Sequence, residues 1–120
     1  MTDADLHARE LAQLTLLGEA ADNISDVAIF VWDDDRNYVA VNQTACKLVG
    51  RTRGELLAMK VGDMTADRAA PYFDDVQHGG LHSGSLTVDR PDGPVEIDWV
   101  TTRTRVAGLP YMVSVCWQKA

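Results

Sequence analysis

The chain has 120 residues, is 46% hydrophobic and carries a formal net charge of −7, which suits one compact core and excludes two. Acids outnumber bases in both halves and no basic run occurs, which argues against nucleic acid and anionic membrane as partners. Cys46 and Cys116 lack metal-ligand spacing, and neither a signal peptide nor a long apolar segment is present, so the expectation is two free thiols in a cytoplasmic protein.

Between Asp3 and Asp22, Leu6, Leu11, Leu14 and Leu17 recur among polar and small residues, one apolar stripe of an amphipathic helix over residues 1–22. Asn23 to Asp26 reads as a linker. A strand over Ala28–Asp33 follows, then a polar turn, Asp33 to Asn37, and a second strand over Tyr38–Val41 ending at Asn42. Ile29, Val31, Val39 and Val41 favour strands, and the Asp and Asn cluster favours the reversal. Asn42 is placed to cap a short helix that Gly50 stops, and Thr52 with Glu55 three residues on forms a capping box for a second. Lys60–Thr65 reads as a loop, and Ala66–Gln77 as a helix ended by Gly79 and Gly80. Three strands complete the chain, Ser83–Arg90, Val95–Arg105 and Tyr111–Gln118, separated by the turns Pro91-Asp92-Gly93-Pro94 and Ala107-Gly108-Leu109-Pro110.

This order is α+β with a five-stranded antiparallel sheet. An apolar strand ending in Asp33, a second ending in Asn42, and Gly50 followed by Glu55-Leu56-Leu57 resemble the opening of a PAS domain, and Gly84-x-x-x-Val88-x-Arg90-x-Asp92-Gly93 is similar to that family's third strand and turn. The resemblance covers residues 23–118. It implies short helices and a small-molecule cavity on one face of the sheet, with the N-terminal amphipathic helix on the other face and often mediating dimers.

Strand alternation then assigns faces. On the last two strands, Val95, Ile97, Trp99, Val113, Val115 and Trp117 form the more apolar set, which the resemblance places outside. A patch of that size calls for a cover. The leucine stripe supplies one, either within one chain or, as the resemblance favours, across a homodimer whose interface holds Leu6, Leu11, Leu14, Leu17, Trp99 and Trp117. The opposite set, Glu96, Asp98, Val100, Met112, Ser114 and Cys116, joins Phe30, Trp32 and Val88 as the expected cavity wall, with Asp98 the polar group for a ligand. The alternative is a packed core in which Glu96 pairs with an Arg and Asp98 binds backbone amides.

Special chemistries of the family are tested by residue. Flavin-binding relatives carry a Cys-bearing motif where this chain reads Met59-Lys60-Val61-Gly62-Asp63-Met64, and amides where it has Val88, Asp98 and Cys116. Haem-binding relatives place a His inside the segment Asp67–Phe73, which has none, and His78 and His82 lie beyond it. No tightly bound cofactor is expected, neither flavin nor haem, and no metal site, since Gly79-Gly80 separates the His pair and the acids Asp33-Asp34-Asp35 read as a solvated turn. Enzyme signatures are absent. The expected function is a sensory module that binds a small apolar or aromatic ligand and relays it through a homodimer to a signalling effector domain. The alternatives are a ligand-free dimerisation scaffold and a small enzyme using Asp98 as a buried base.

Overall fold

The computed structural model describes residues 26–65, 81–106 and 108–119. The helix expected over residues 1–22 with its leucine stripe, and that over Ala66–Gln77, lie outside the described residues. The elements are β1 (Ala28–Asp33), β2 (Tyr38–Val41), α1 (Gln43–Val49), α2 (Arg53–Leu57), β3 (Leu81–Val88), β4 (Val95–Val106) and β5 (Leu109–Gln118). The five strands form one antiparallel sheet in the order β2-β1-β5-β4-β3.

The β1–β2 turn is organised by one side chain. Asp33 Oδ1 accepts from the backbone N–H of Asp35 at 3.0 Å and of Asn37 at 2.9 Å, so the carboxylate satisfies two turn amides. Arg36 takes a left-handed φ of 68° to complete the reversal. Beyond β2, the buried Asn42 caps α1 by accepting from Ala45 N–H at 2.9 Å and also accepts from Ile29 N–H at 3.0 Å, while its amide donates to Val27 carbonyl at 2.9 Å. One residue thus ends β2, starts α1 and fastens the helix to β1. Gly50, at φ 64°, closes α1 in the left-handed conformation that glycine adopts without strain.

Helix α2 opens on a complete capping box. Glu55 N–H donates to Thr52 Oγ1 at 3.1 Å and Thr52 N–H to Glu55 Oε1 at 3.0 Å, and those bonds lower the Glu55 pKa. A five-residue helix is not stable on its own. It stands because Leu56 is fully buried, which stabilises it by about 1.5–3 kcal/mol.

After α2 the chain crosses from one sheet edge to the other. Lys60 bridges to Asn37 beside β2, and Thr65 bridges to Val88 at the end of β3. Asp89 N–H donates to Met64 carbonyl at 2.8 Å and Val61 N–H to Arg36 carbonyl at 2.8 Å. This strap and the two helices cover one face of the sheet. The larger apolar cluster lies there, joining Phe30, Trp32, Val41, Leu56, Met64, Trp99 and Met112. A second cluster, centred on Ile29, Val31, Ala40 and Tyr111, occupies the opposite face.

The face assigned to β4 needs correction. Val106 pairs with Leu109 and Trp99 with Cys116, so two residues join β4 to β5, whereas the expected strand ends, Arg105 and Tyr111, leave five between them. Odd-numbered β4 residues therefore stand beside even-numbered β5 residues. Ile97, Trp99 and Thr101 share the helix-covered face with Ser114 and Cys116, while Glu96, Asp98 and Val100 point the other way. A one-residue difference in register inverts every side chain of a strand.

Candidate functional site

The sheet, α1 and the strap line a cavity of about 60 Å³. Its sheet wall is built from β1 by Phe30 and Trp32, from β5 by Ser114 and Cys116, from β4 by Ile97, Trp99 and Thr101, and from β3 by Leu86 and Val88. Val49 of α1 faces that wall. The strap adds Val61, Met64 and Thr65, and β2 adds Tyr38. A bulge places Tyr38: Phe30 pairs with Val41 but Trp32 pairs with Tyr38, so one β2 residue is skipped and both Tyr38 and Val41 reach the same face. The rings of Phe30 and Tyr38 then meet with centroids 5.6 Å apart and a 51° tilt, a favourable edge-biased contact.

The polar atoms of the wall lie on three neighbouring strands. Trp32 Nε1 donates to Ser114 Oγ at 3.0 Å, and Ser114 Oγ shares a 2.7 Å hydrogen bond with Thr101 Oγ1. This row crosses from β1 through β5 to β4 because Thr101 is the register partner of Ser114, and Ser114 that of Phe30. Trp99 lies one ladder step away, opposite Cys116 on β5 and Gly84 on β3. A Cβ on Gly84 would sit 3.0 Å from Trp99 Cζ2 and 3.4 Å from its Nε1, so glycine makes room for the indole to lie across the edge strand. Trp99 Nε1 is buried and has no hydrogen-bond partner among the described residues.

The wall is electrically quiet. Among the described residues it contains no Asp, Glu, Lys, Arg or His. Burial pushes the Cys116 thiol up to about 12, and burial followed by the neighbouring Cys116 and Asp63 raises the Tyr38 phenol above its ordinary 10.0; both stay neutral near pH 7. A protonated thiol is a poor nucleophile, so Cys116 acts as wall. No group of three or more His, Cys, Asp or Glu among the described residues is placed to hold a metal ion.

The geometry of a strapped antiparallel sheet over a small cavity agrees with the family comparison, in which the PAS fold matches residues 22–97. The chain belongs to the PAS fold family. No curated protein matches it. Among solved structures, the PAS domain from a two-component sensor histidine kinase superposes with a TM-score of 0.74 at 15% identity, covering 92% of this chain and 99% of that one. The PAS domain of an HTR-like protein from Haloarcula marismortui gives 0.73 at 18% identity, covering 96% and 99%. A LOV protein from Rhodobacter sphaeroides gives 0.70 at 19% identity, covering 89% of this chain and 67% of that one. At such identities the likeness concerns the fold alone.

Within this PAS domain, five of the eight sequence-derived ligand positions, Phe30, Trp32, Val88, Ser114 and Cys116, come together around the cavity. Met112 is fully buried in the same cluster without lining it. Asp98 and Val100 are corrected to the opposite face by the β4 register. Asp98 is partly exposed there, accepts a hydrogen bond from Ser85 Oγ and pairs in register with Trp117. That position removes the buried base on which the enzyme alternative depended. Trp99 moves the other way, from the expected dimer face into the cavity wall. Trp117 remains on the outer face, 42% exposed, and Leu6, Leu11, Leu14 and Leu17 lie outside the described residues.

Sequence reasoning missed Ile97, Trp99 and Thr101 through the inverted parity alone. Leu86 was recoverable as the alternate neighbour of Val88. Val61, Met64 and Thr65 sit in a loop without periodicity, and no local signal marks them. No helix among the described residues is long and apolar enough to cross a membrane.

Proposed function

We propose that this PAS domain is the sensory module of a cytoplasmic signalling protein, binding a small apolar or aromatic molecule in the cavity and passing the change to an effector domain through a homodimer. The cavity carries the proposal, because aromatic and aliphatic walls with a few convergent polar atoms are how small-molecule sites are built. The similar sensor histidine kinase domain supports the signalling context. Catalysis is not part of the reading, and neither flavin nor haem is expected, because Met59–Met64 carries no Cys and Asp67–Phe73 no His.

The relay follows from strand geometry. Ser114 and Cys116 face the cavity while Val113, Val115 and Trp117 alternate with them on the outer face of β5. A ligand that favours one packing of β5 against β4 therefore repositions the outer residues as well. It shifts the dimer only to the extent that its affinity differs between the two arrangements.

Mass spectrometry of gently purified protein tests the reading, together with a thermal-shift screen of small apolar compounds. A stoichiometric co-purifying molecule, or hits whose stabilisation grows with concentration and is altered by Trp32→Ala, supports it. Colourless, ligand-free protein with hits indifferent to Trp32→Ala leaves the dimerisation scaffold as the better reading. The exposed Trp117 beside the second apolar cluster favours that second reading.

A further inference from the structure

Among the described residues, the hydrogen-bond inventory of the cavity wall does not close. An indole N–H can only donate, whereas a hydroxyl both donates and accepts. Trp32 uses its donor on Ser114. Ser114 and Thr101 hold two hydroxyl hydrogens, and their mutual bond uses one. Trp99 Nε1–H remains, on a residue only 7% exposed, with no acceptor among the described residues. Buried donors are nearly always satisfied, and an orphan on a cavity wall calls for a partner. The indole is held in place by its fit over Gly84, where even a methyl group would crowd Cζ2.

We infer that the ligand of this cavity is a small neutral molecule, mostly apolar, that presents one hydrogen-bond acceptor such as a carbonyl, ether or ring-nitrogen lone pair to Trp99 Nε1–H. The inference rests on the reading of the cavity as a ligand site and adds the chemical class. Neutrality follows from the wall, which offers no counter-charge among the described residues; a carboxylate or phosphate entering it would surrender its hydration for one N–H and one hydroxyl hydrogen, with no cation beside them. Small size follows from a volume of about 60 Å³, set against the roughly 150 Å³ of an apolar cavity that accepts benzene. Specificity follows from the donor, because a site that must hydrogen-bond its ligand discriminates against an isostere lacking the acceptor.

The test uses the full chain labelled with nitrogen-15, in which Trp32, Trp99 and Trp117 give three indole N–H resonances assigned by single Trp→Phe substitutions. Three probes of matched shape are titrated: acetone, isobutene and acetate. The ketone is expected to bind about ten-fold tighter than the olefin, the value of one hydrogen bond to an otherwise unsatisfied donor, and to move the Trp99 resonance. The olefin should bind without moving it downfield, and the carboxylate should bind most weakly. In Trp99→Phe the ketone's preference should fall to parity while olefin binding persists and reports an intact cavity. Should that variant not fold, the wild-type Trp99 resonance still decides. Equal binding of ketone and olefin with Trp99 unmoved overturns the inference while leaving the cavity a ligand site. Tightest binding by the carboxylate overturns the neutral class. If none of the three binds, the reading of the cavity fails and the inference falls with it.

Discussion

The β1–β2–α1–α2 segment and the β4–β5 wall treat their polar side chains in opposite ways. In the first, Asp33, Asn42, Thr52 and Glu55 each meet backbone partners within a few residues or on the adjoining strand. In the second, one hydroxyl hydrogen is surplus and the Trp99 donor has no partner among the described residues. Closed inventories hold a fold together because each satisfied buried group avoids a desolvation cost. An open inventory lowers stability, and its location marks where a ligand completes the structure. The two regions thus divide structural and binding roles within one small domain.

The largest expected effect lies in the closed region. Asn42→Ala removes the α1 cap, orphans Ile29 N–H inside the sheet and leaves Val27 carbonyl without its donor. A lost cap costs about 1 kcal/mol, and a buried amide left unsatisfied costs about 1–3 kcal/mol more. The expected destabilisation is about 3 kcal/mol in urea or thermal unfolding. A loss under 1 kcal/mol would show that solvent replaces Asn42, and the contrast between the two regions would disappear.

The closed region is also the part most legible in the sequence, for the same reason. Asp33, Asn42, Gly50 and the Thr52–Glu55 box act on neighbours a few positions away, so residue identity and spacing reveal them. The cavity depends on long-range parity. Whether Asp98 or Trp99 faces inward is decided by the two-residue connection between Val106 and Leu109, where Gly108 takes a φ of 85°. Ending β4 at Arg105 and starting β5 at Tyr111 makes the connection five residues long, an odd count that leaves β5 correct and inverts β4. Tyr38 shows the same limit, since a bulge rather than simple alternation brings it to the cavity.

An intermediate effect comes from the neutral wall. Burial raises the Cys116 thiol from its ordinary 9.0 to about 12, so the unfolded chain loses this proton before the folded one does. The associated stability is fully present below pH 9 and is lost as the pH rises toward 12. The raised Tyr38 phenol adds a loss of the same sign above its ordinary 10.0. Denaturant midpoints measured from pH 7 to 11 should fall, approaching a slope of about 1.4 kcal/mol per pH unit for each proton involved. Cys116→Ala should flatten the limb that begins near pH 9. An unchanged alkaline limb in that variant would mean that the thiol is hydrated and that the wall admits charge.

The smallest effect is a difference between two like substitutions, and it tests the comparison most directly. Trp32 and Trp99 are both buried in the same cluster, at 2% and 7% exposure, so replacing either by Phe removes the same atoms from similar surroundings. Loss of packing is therefore nearly common to both. The polar consequences are opposed. Trp32→Phe removes the hydrogen bond that Ser114 Oγ accepts from the indole, whereas Trp99→Phe removes a donor that has no acceptor among the described residues. In ligand-free protein, Trp32→Phe should be the more destabilising by about 1–2 kcal/mol. Adding an acceptor-bearing ligand should reverse the asymmetry, since bound ligand stabilises the wild-type chain and Trp32→Phe while doing less for Trp99→Phe. Equal losses without ligand would mean that Trp99 Nε1 finds a partner in solution, and the open inventory of the wall would no longer distinguish it from the rest of the fold.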